Sequence, residues 1–430
     1  MPIRDYLKFV AANLRFVTFG FFLAFASSFG QTFFIGTFGP AIQMEFSLSH
    51  TSWGTIYMVG TLGSAALLPW TGKQIDRFDL RPYTALVCIL LTIACGFTAF
   101  VTTGVMLVFA IFLLRQSGQG LMSHVAITSM ARYFDRDRGR AVAIATLGFS
   151  TGEAFLPFLA VFAISVCGWR WAYGGIAILL AVGLIPCVFW LLRDYDKRHQ
   201  AYLARITAPA TPGGQFHRSW TRTEVLKDIR FYLLLPGILA PSLIVTAMFF
   251  HHLNLADAKN WSHAWITGSY VIYAAAAILT ALASGPLIDR FGASRQVSIM
   301  LMPLTVAMIV IAEFSNPWIA WPYLILIGIN VGVAHTAVSV MWAEVYGVAH
   351  LGAIKSLASA LSVFASALGP VIAGTLMDLG VSIEQVCLIF SAYTVFGAVL
   401  IIVALTRRSV SDRASRKDHI CHLRVYGLQQ

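Results

Sequence analysis

The chain has 430 residues, 58% of them hydrophobic and 11% charged, with a net charge of +11. A soluble globular domain carries roughly a quarter charged residues, so there is too little polar material here to clothe a soluble surface. The apolar residues come in runs that match the roughly 20 helical residues needed to cross a hydrocarbon core about 30 Å thick.

In chain order the runs predict spans at 16–40, 53–72, 82–103, 104–131, 139–166, 171–192, 231–256, 263–287, 294–312, 317–342, 352–377 and 383–406. Barrel strands would be shorter and would alternate polar with apolar. Lipid-embedded backbone must satisfy its own hydrogen bonds, which favours helices. The expected fold is therefore an all-α polytopic membrane protein with twelve transmembrane helices. The run 16–40 is too long for a cleavable leader and lacks a small-residue cleavage site, so it is taken as the first span. The six cysteines are scattered, and neither they nor the tail cluster His419, Cys421 and His422 has a metal or disulfide spacing.

With the N-terminus on the cytoplasmic side, the inner segments hold 26 of the 30 Lys and Arg residues; Arg170 and Lys259 fall outside, and Arg115 and Lys355 within spans. That asymmetry predicts both termini in the cytoplasm of an inner or plasma membrane. It also accounts for the basic charge through anionic lipid, with no need for nucleic acid. The segment 193–230, with eight basic residues and Pro209, Pro212, Gly213 and Gly214, reads as a cytoplasmic linker with a short surface helix near 195–206. The expected organisation is a six-helix bundle at 1–192, the linker, a second bundle at 231–406 and a cytoplasmic tail at 407–430.

The two bundles resemble each other at one offset. Gly72-Lys-Gln-Ile-Asp76-Arg77-Phe78 matches Gly285-Pro-Leu-Ile-Asp289-Arg290-Phe291 at 213 residues; Tyr133 with Tyr346, Gly139 with Gly352 and Pro157 with Pro370 share that spacing. A duplicated six-helix unit points to a carrier whose halves rock about a central site.

Gly72 to Arg81 and Gly285 to Arg295 resemble the loop motif G-x-x-x-D-R-x-G-R/K of the major facilitator superfamily. Arg115-Gln-Ser-Gly-Gln-Gly120 resembles its fourth-helix motif, and Gly168-Trp-Arg-Trp-Ala-Tyr173 its start of the sixth helix. Tyr133-Phe-Asp-Arg-Asp-Arg138-Gly-Arg-Ala-Val-Ala is similar to the same region of the monocarboxylate-porter-like and oxalate–formate-antiporter-like branch. The resemblance implies two pseudo-symmetric bundles and a small-molecule substrate, a monocarboxylate-type anion moved with or without a proton. It implies a cytoplasmic gate built from Gly72, Asp76, Arg77, Arg81, Gly285, Asp289, Arg290 and Arg295. Asp79 stands where the motif has glycine, so that turn is expected to be less regular.

Ionisable groups inside spans carry the most information, since a charge at mid-membrane costs at least about 2.5 kcal/mol. Arg115 and Glu153 fall at similar depth on consecutive spans and are expected to pair. Their counterparts in the repeat are Gly328 and Ser366. Two roles stay open at this point: a buried pair that fixes packing, or an anion ligand beside a proton carrier. Gln119, one turn from Arg115, is the better companion than His124. Helices one, four, seven and ten line the cavity in the resembled family, which implies Gln31 with Ser27, Arg115, Asn330 and His335; Tyr273 and Tyr270 are candidates from the eighth span. His251 and His252 are expected at the membrane interface, and Lys355 snorkelling to headgroups.

The function expected is proton- or gradient-coupled carriage of a small organic anion by a monomer in the bilayer. Efflux of amphipathic compounds and a transport-inactive sensor remain as alternatives. No nucleophile–base arrangement, metal cluster or phosphate loop is evident, so neither an enzyme nor a cofactor is expected.

Overall fold

The computed structural model describes residues 9–134, 138–193, 195–196, 198–200, 220–347 and 351–406. Every regular element among them is helical. Nine stretches are long and apolar enough to cross a membrane. One of these, Arg140–Leu191, is 52 residues long and is broken at Gly168, whose φ of 79° leaves helical geometry; it supplies the fifth and sixth spans. Residues 14–46 form the first span and His50–Gly72 the second, which brings the count to twelve. The others are Leu80–Ala99, Gly104–Tyr133, Ile229–Phe250, His263–Ile288, Ala293–Glu313, Pro317–Tyr346, Ile354–Asp378 and Ile383–Thr406. An even number of crossings puts Leu14 and Thr406 on one face, termed here the termini face; the opposite side is the far face.

Helix starts follow local chemistry. Ser49, Asp79, Thr103 and Asp228 each accept a backbone N–H of the first turn from the capping position, satisfying donors that a helix leaves orphaned. Asp79, expected to disturb its turn, instead caps the third span through Arg81 N–H at 2.9 Å. Gly292 takes φ 84° between the eighth and ninth spans, a backbone region open to glycine.

The first six spans meet the last six where the second packs on the eleventh, the fifth on the eighth and the first on the seventh. At the far face the contact is backbone to backbone. A Cβ on Gly54 would lie 2.9 Å from the Pro370 carbonyl, and one on Gly374 2.6 Å from that of His50. Asp378, ending the eleventh span, accepts His50 N–H at 3.1 Å and Thr51 N–H at 2.8 Å, capping the second span from the other half. Trp53 stacks on Phe250 with ring centroids 5.3 Å apart, and Tyr57 lies 4.6 Å from the same ring. The far end is thus closed. The Gly168–Tyr173 motif braces it further: Glu45 accepts Arg170 Nη2 at 2.5 Å and Trp169 Nε1 at 2.6 Å, while Arg170 Nη1 donates to the Ala99 carbonyl at 3.0 Å.

On the termini face the motif residues bond inside their own half. Arg81 donates to the Leu192 carbonyl at 2.9 Å and pairs with Asp196 at 3.0 Å. In the second copy Glu344, a residue the motif does not contain, accepts Ala293 N–H at 2.8 Å and Ser294 N–H at 2.9 Å. Arg290 lies over the Phe291 ring. The side chains of Asp76 and Asp289 fall outside the described set. Trp220 N–H, near the end of the linker, donates to the Tyr346 carbonyl at 2.9 Å; residues 201–219 of the linker and the tail 407–430 lie outside the described residues.

Candidate functional site

The first span is not the single helix expected over 16–40. It ends at Ala26, passes through a 3-10 turn at Ser27–Gly30, becomes extended at Gln31 with ψ 154°, and resumes at Thr32. The Ser27 hydroxyl bonds its own helix at the Ala24 carbonyl (2.7 Å), giving the backbone there a competing partner. The fourth span faces this break and itself departs from α geometry, running as a π-helix over Arg115–Met122; such segments recur at functional sites. Glycine permits the crossing. A Cβ on Gly30 would overlap the Leu114 carbonyl, and one on Gly118 would lie 2.7 Å from Gly30.

The break frees a carbonyl that Arg115 uses. Arg115 is 2% exposed, and its Nη1 donates to the Gly30 carbonyl and the Thr32 hydroxyl, both at 3.3 Å. Its guanidinium stands 5.3 Å from the centroid of Tyr57, whose hydroxyl is 2.5 Å from that of Thr32. Its Nε–H, fully buried, has no partner among the described residues. Among the described residues these contacts come from neutral groups, and a charge left unpaired in such a place is costly.

The expected Arg115–Glu153 pair does not form. Arg115 is drawn to the break in the first span, whereas Glu153, partly exposed on the fifth, lies near Tyr273 of the eighth. The two residues share a depth but not a direction around the helix bundle.

The side-chain amides of Gln119 and Gln31, one on each wall of the crossing, are partly exposed and make no hydrogen bond among the described residues. Asn330 is fully buried and its Nδ2 donates to the Met300 carbonyl at 2.7 Å, which ties the tenth span to the ninth, while its Oδ1 has no partner among the described residues. His335 is exposed on the tenth span and makes no hydrogen bond among the described residues. Lys355 bonds the Ser339 hydroxyl.

His251 and His252 are not interfacial: each is 1% exposed. The closed far seam covers them, His251 Nε2 donating to the Pro370 carbonyl at 2.9 Å and His252 Nδ1 lying 2.6 Å from the Tyr270 hydroxyl.

Sequence reasoning missed Thr32, Tyr57 and Gln116. Gln116 joins the fourth span to the second by accepting from Ser64 at 3.1 Å and donating to Thr71 at 2.7 Å. None is ionisable in the usual range, so a search for intramembrane charge passes over them. The Arg115 motif itself, with glycine three and five residues on, was the available signal for close neighbours. Together the site offers one positive charge with a buried N–H that has no partner among the described residues, two uncommitted amides and the aromatic face of Tyr57. That set complements a small anion with a flat or apolar body.

The sequence matches the Major Facilitator Superfamily model over residues 20–370 and 255–420. It is 27% identical over 184 residues to the gallate transporter of Pseudomonas putida, covering 41% of this chain and 38% of that one. It is 28% identical over 149 residues to monocarboxylate transporter 11 of Mus musculus, covering 34% and 32%. Both alignments span less than half the length of the relative. Among solved structures, the fold resembles a bacterial homolog of the human lysosomal transporter Spinster in an inward-facing, occupied conformation. There the TM-score is 0.68 at 14% identity, covering 94% of this chain and 99% of the other.

Proposed function

This chain belongs to the major facilitator superfamily, and from that premise we propose that it carries a small organic anion of the monocarboxylate type by alternating access, with Glu153 taking the coupling proton. The observation that supports this most is the buried Arg115, which among the described residues has an unpartnered Nε–H and no carboxylate opposite it. An arriving carboxylate would neutralise it and take up that donor, a charge-assisted bond roughly twice as strong as a neutral one. The named substrates of two relatives, gallate and monocarboxylates, are anions of this kind.

In this reading the centre keeps its charge balanced. Empty, it holds a cationic Arg115 and an anionic Glu153. Loaded, it holds Arg115, the substrate carboxylate and a protonated Glu153. Tyr57 joins the site to the far seal through Phe250, so occupancy of Arg115 can be felt by the closure. The two halves are 1–192 and 231–406, and the termini face is cytoplasmic. The paired loop motifs of Gly72 to Arg81 and Gly285 to Arg295 close that face when the far face opens.

The test is uptake of radiolabelled gallate and benzoate into proteoliposomes under an inward proton gradient. Accumulation by the wild type and its loss in Arg115→Ala is the expected result. Uptake unchanged in Arg115→Ala removes Arg115 as the ligand, and extrusion of hydrophobic dyes without carboxylate uptake favours efflux.

A further inference from the structure

The far seam sets two imidazoles from opposite halves against each other. His251, at the C-terminal end of the seventh span, is 1% exposed. Its ring centroid lies 5.9 Å from that of His50, which begins the second span. We propose that His251 and His50 form a far-side proton switch: closure requires a neutral His251, so acid on the far side opens that face. The inference needs only halves that rock, and it stands apart from the roles given to Arg115 and Glu153.

The hydrogen bonds fix which nitrogen takes the proton. His251 Nε2 donates to the Pro370 carbonyl at 2.9 Å, so in the neutral ring Nδ1 is the basic atom. Nδ1 is fully buried and makes no hydrogen bond among the described residues. A proton there would create a buried cation with an unsatisfied donor, and burial disfavours the charged form. His50 is partly exposed, and its Nδ1 accepts from Gln43 Nε2 at 3.1 Å. It is the ring that far-side water reaches first. Once protonated, it sets a second positive charge against His251 across the seam.

Few titratable groups surround His251. The second span presents His50, and the eleventh presents Asp378, whose carboxylate is occupied by the His50 and Thr51 N–H groups. Asp378 favours a cation here, but it is exposed, and water screens its pull. The first span contributes the neutral Gln43, held by His50. On its own side of the seam the polar neighbour of His251 is Asn254, and Asp257, a turn further on, pairs with His263 at 2.6 Å.

Opening the far face parts the second span from the eleventh, since halves of this architecture rock against each other. His50 and the backbone of Gly54 then leave Pro370, and water reaches His251. A cation at a helix C-terminus becomes favourable there. The open state therefore binds a proton that the closed state must shed. By reciprocity, lowering the pH favours opening, by at most about tenfold per pH unit for each proton.

This can be read without a substrate. Met44, 82% exposed near the end of the first span, and Leu379, 75% exposed just past the eleventh, flank the far face on opposite halves. Spin labels at Met44→Cys and Leu379→Cys, in a background of Cys167→Ser, Cys187→Ser and Cys421→Ser, report the gap by pulsed dipolar spectroscopy in nanodiscs. Going from about pH 8 to about pH 5 should move the population from the short distance to a longer one. His251→Gln keeps an amide N–H for the Pro370 carbonyl but cannot take a proton, and should hold the short distance throughout. His50→Asn keeps an acceptor for Gln43 and should make the transition shallower, a second reading should His251→Gln fail to fold. Glu153→Gln and Arg115→Met should respond as the wild type does, which separates the switch from the substrate and coupling sites. A His251→Gln or His50→Asn protein that opens with acid as the wild type does overturns the inference. So does a wild type without a pH response, or a response lost in Glu153→Gln.

Discussion

The fourth and tenth spans stand at equivalent places in the repeat, yet they have been put to opposite uses. At position 115 the fourth span carries a buried arginine at the start of a π-helical stretch, opposite a break in the first span. At the matching position 328 the tenth span carries a glycine in an unbroken helix, so close to the eighth that a Cβ would lie 2.6 Å from the Tyr273 carbonyl. Position 153 repeats the lesson: the counterpart of Glu153 in the repeat is Ser366. At position 328 the second half has kept a regular, closely packed helix. The first has accepted distorted helices and an unpaired charge, features that persist when surrounding structure holds them for a task.

Changes that erase this difference should have the largest effects. Glu153→Gln should lose proton-driven accumulation by about tenfold or more, the scale of coupling energies of 1–3 kcal/mol, while exchange of labelled for unlabelled gallate in proteoliposomes continues. If exchange fails as well, the division of labour between Arg115 and Glu153 breaks down. Next come the two glycine crossings. Gly118→Val overpacks the crossing beside Arg115 and should cost about 1–3 kcal/mol of stability, with uptake lost. Gly328→Ala should cost a similar amount, about 1–3 kcal/mol, in thermal unfolding while leaving the substrate KM unchanged. Equal loss of affinity in both variants would mean that the halves are not specialised as described.

A smaller effect is expected from Asp378→Ala, which removes the cap on the second span and should weaken far-side closure by about 1 kcal/mol. Spin labels at Met44→Cys and Leu379→Cys, exposed on opposite halves at the far face, should show less of the short distance by pulsed dipolar spectroscopy. Smallest is Glu45→Gln. Its carboxyl is held below the ordinary range chiefly by the hydrogen bond from Arg170, but its side chain is 42% exposed, so the pair is worth at most about 1 kcal/mol. Because the folded-state value is lowered, that contribution is present at neutral pH. It disappears as acid protonates Glu45, so the mutant and wild-type melting curves should converge at low pH.

Much of this architecture is legible along the chain. Hydropathy finds the spans because lipid imposes length and composition on each, and the 213-residue offset finds the repeat because loop motifs keep their spacing. The break at Ser27–Gln31 was not legible: serine and glycine inside an apolar run look the same whether the helix continues or stops. The π-helical stretch was hidden for the same reason. The Arg115–Glu153 pair was inferred from depth, which sequence supplies, but azimuth decides partners, and Arg115 turned to Gly30, Thr32 and Tyr57. Asn330 shows the converse, a polar residue on a cavity-lining helix whose amide was taken by the Met300 carbonyl.

The central claim is that Arg115 is an unpaired charge waiting for an anion, and its most direct test is thermal unfolding with and without ligand. Binding stabilises a protein by RT ln(1 + [L]/Kd), about 2.7 kcal/mol at a hundredfold excess over Kd. The wild type should be stabilised by benzoate or gallate and not by benzamide. Arg115→Met, which removes a costly buried charge, should melt at a higher temperature when empty and gain nothing from any of them. An Arg115→Met protein that is less stable than the wild type, and is still stabilised by the carboxylates, would contradict the account.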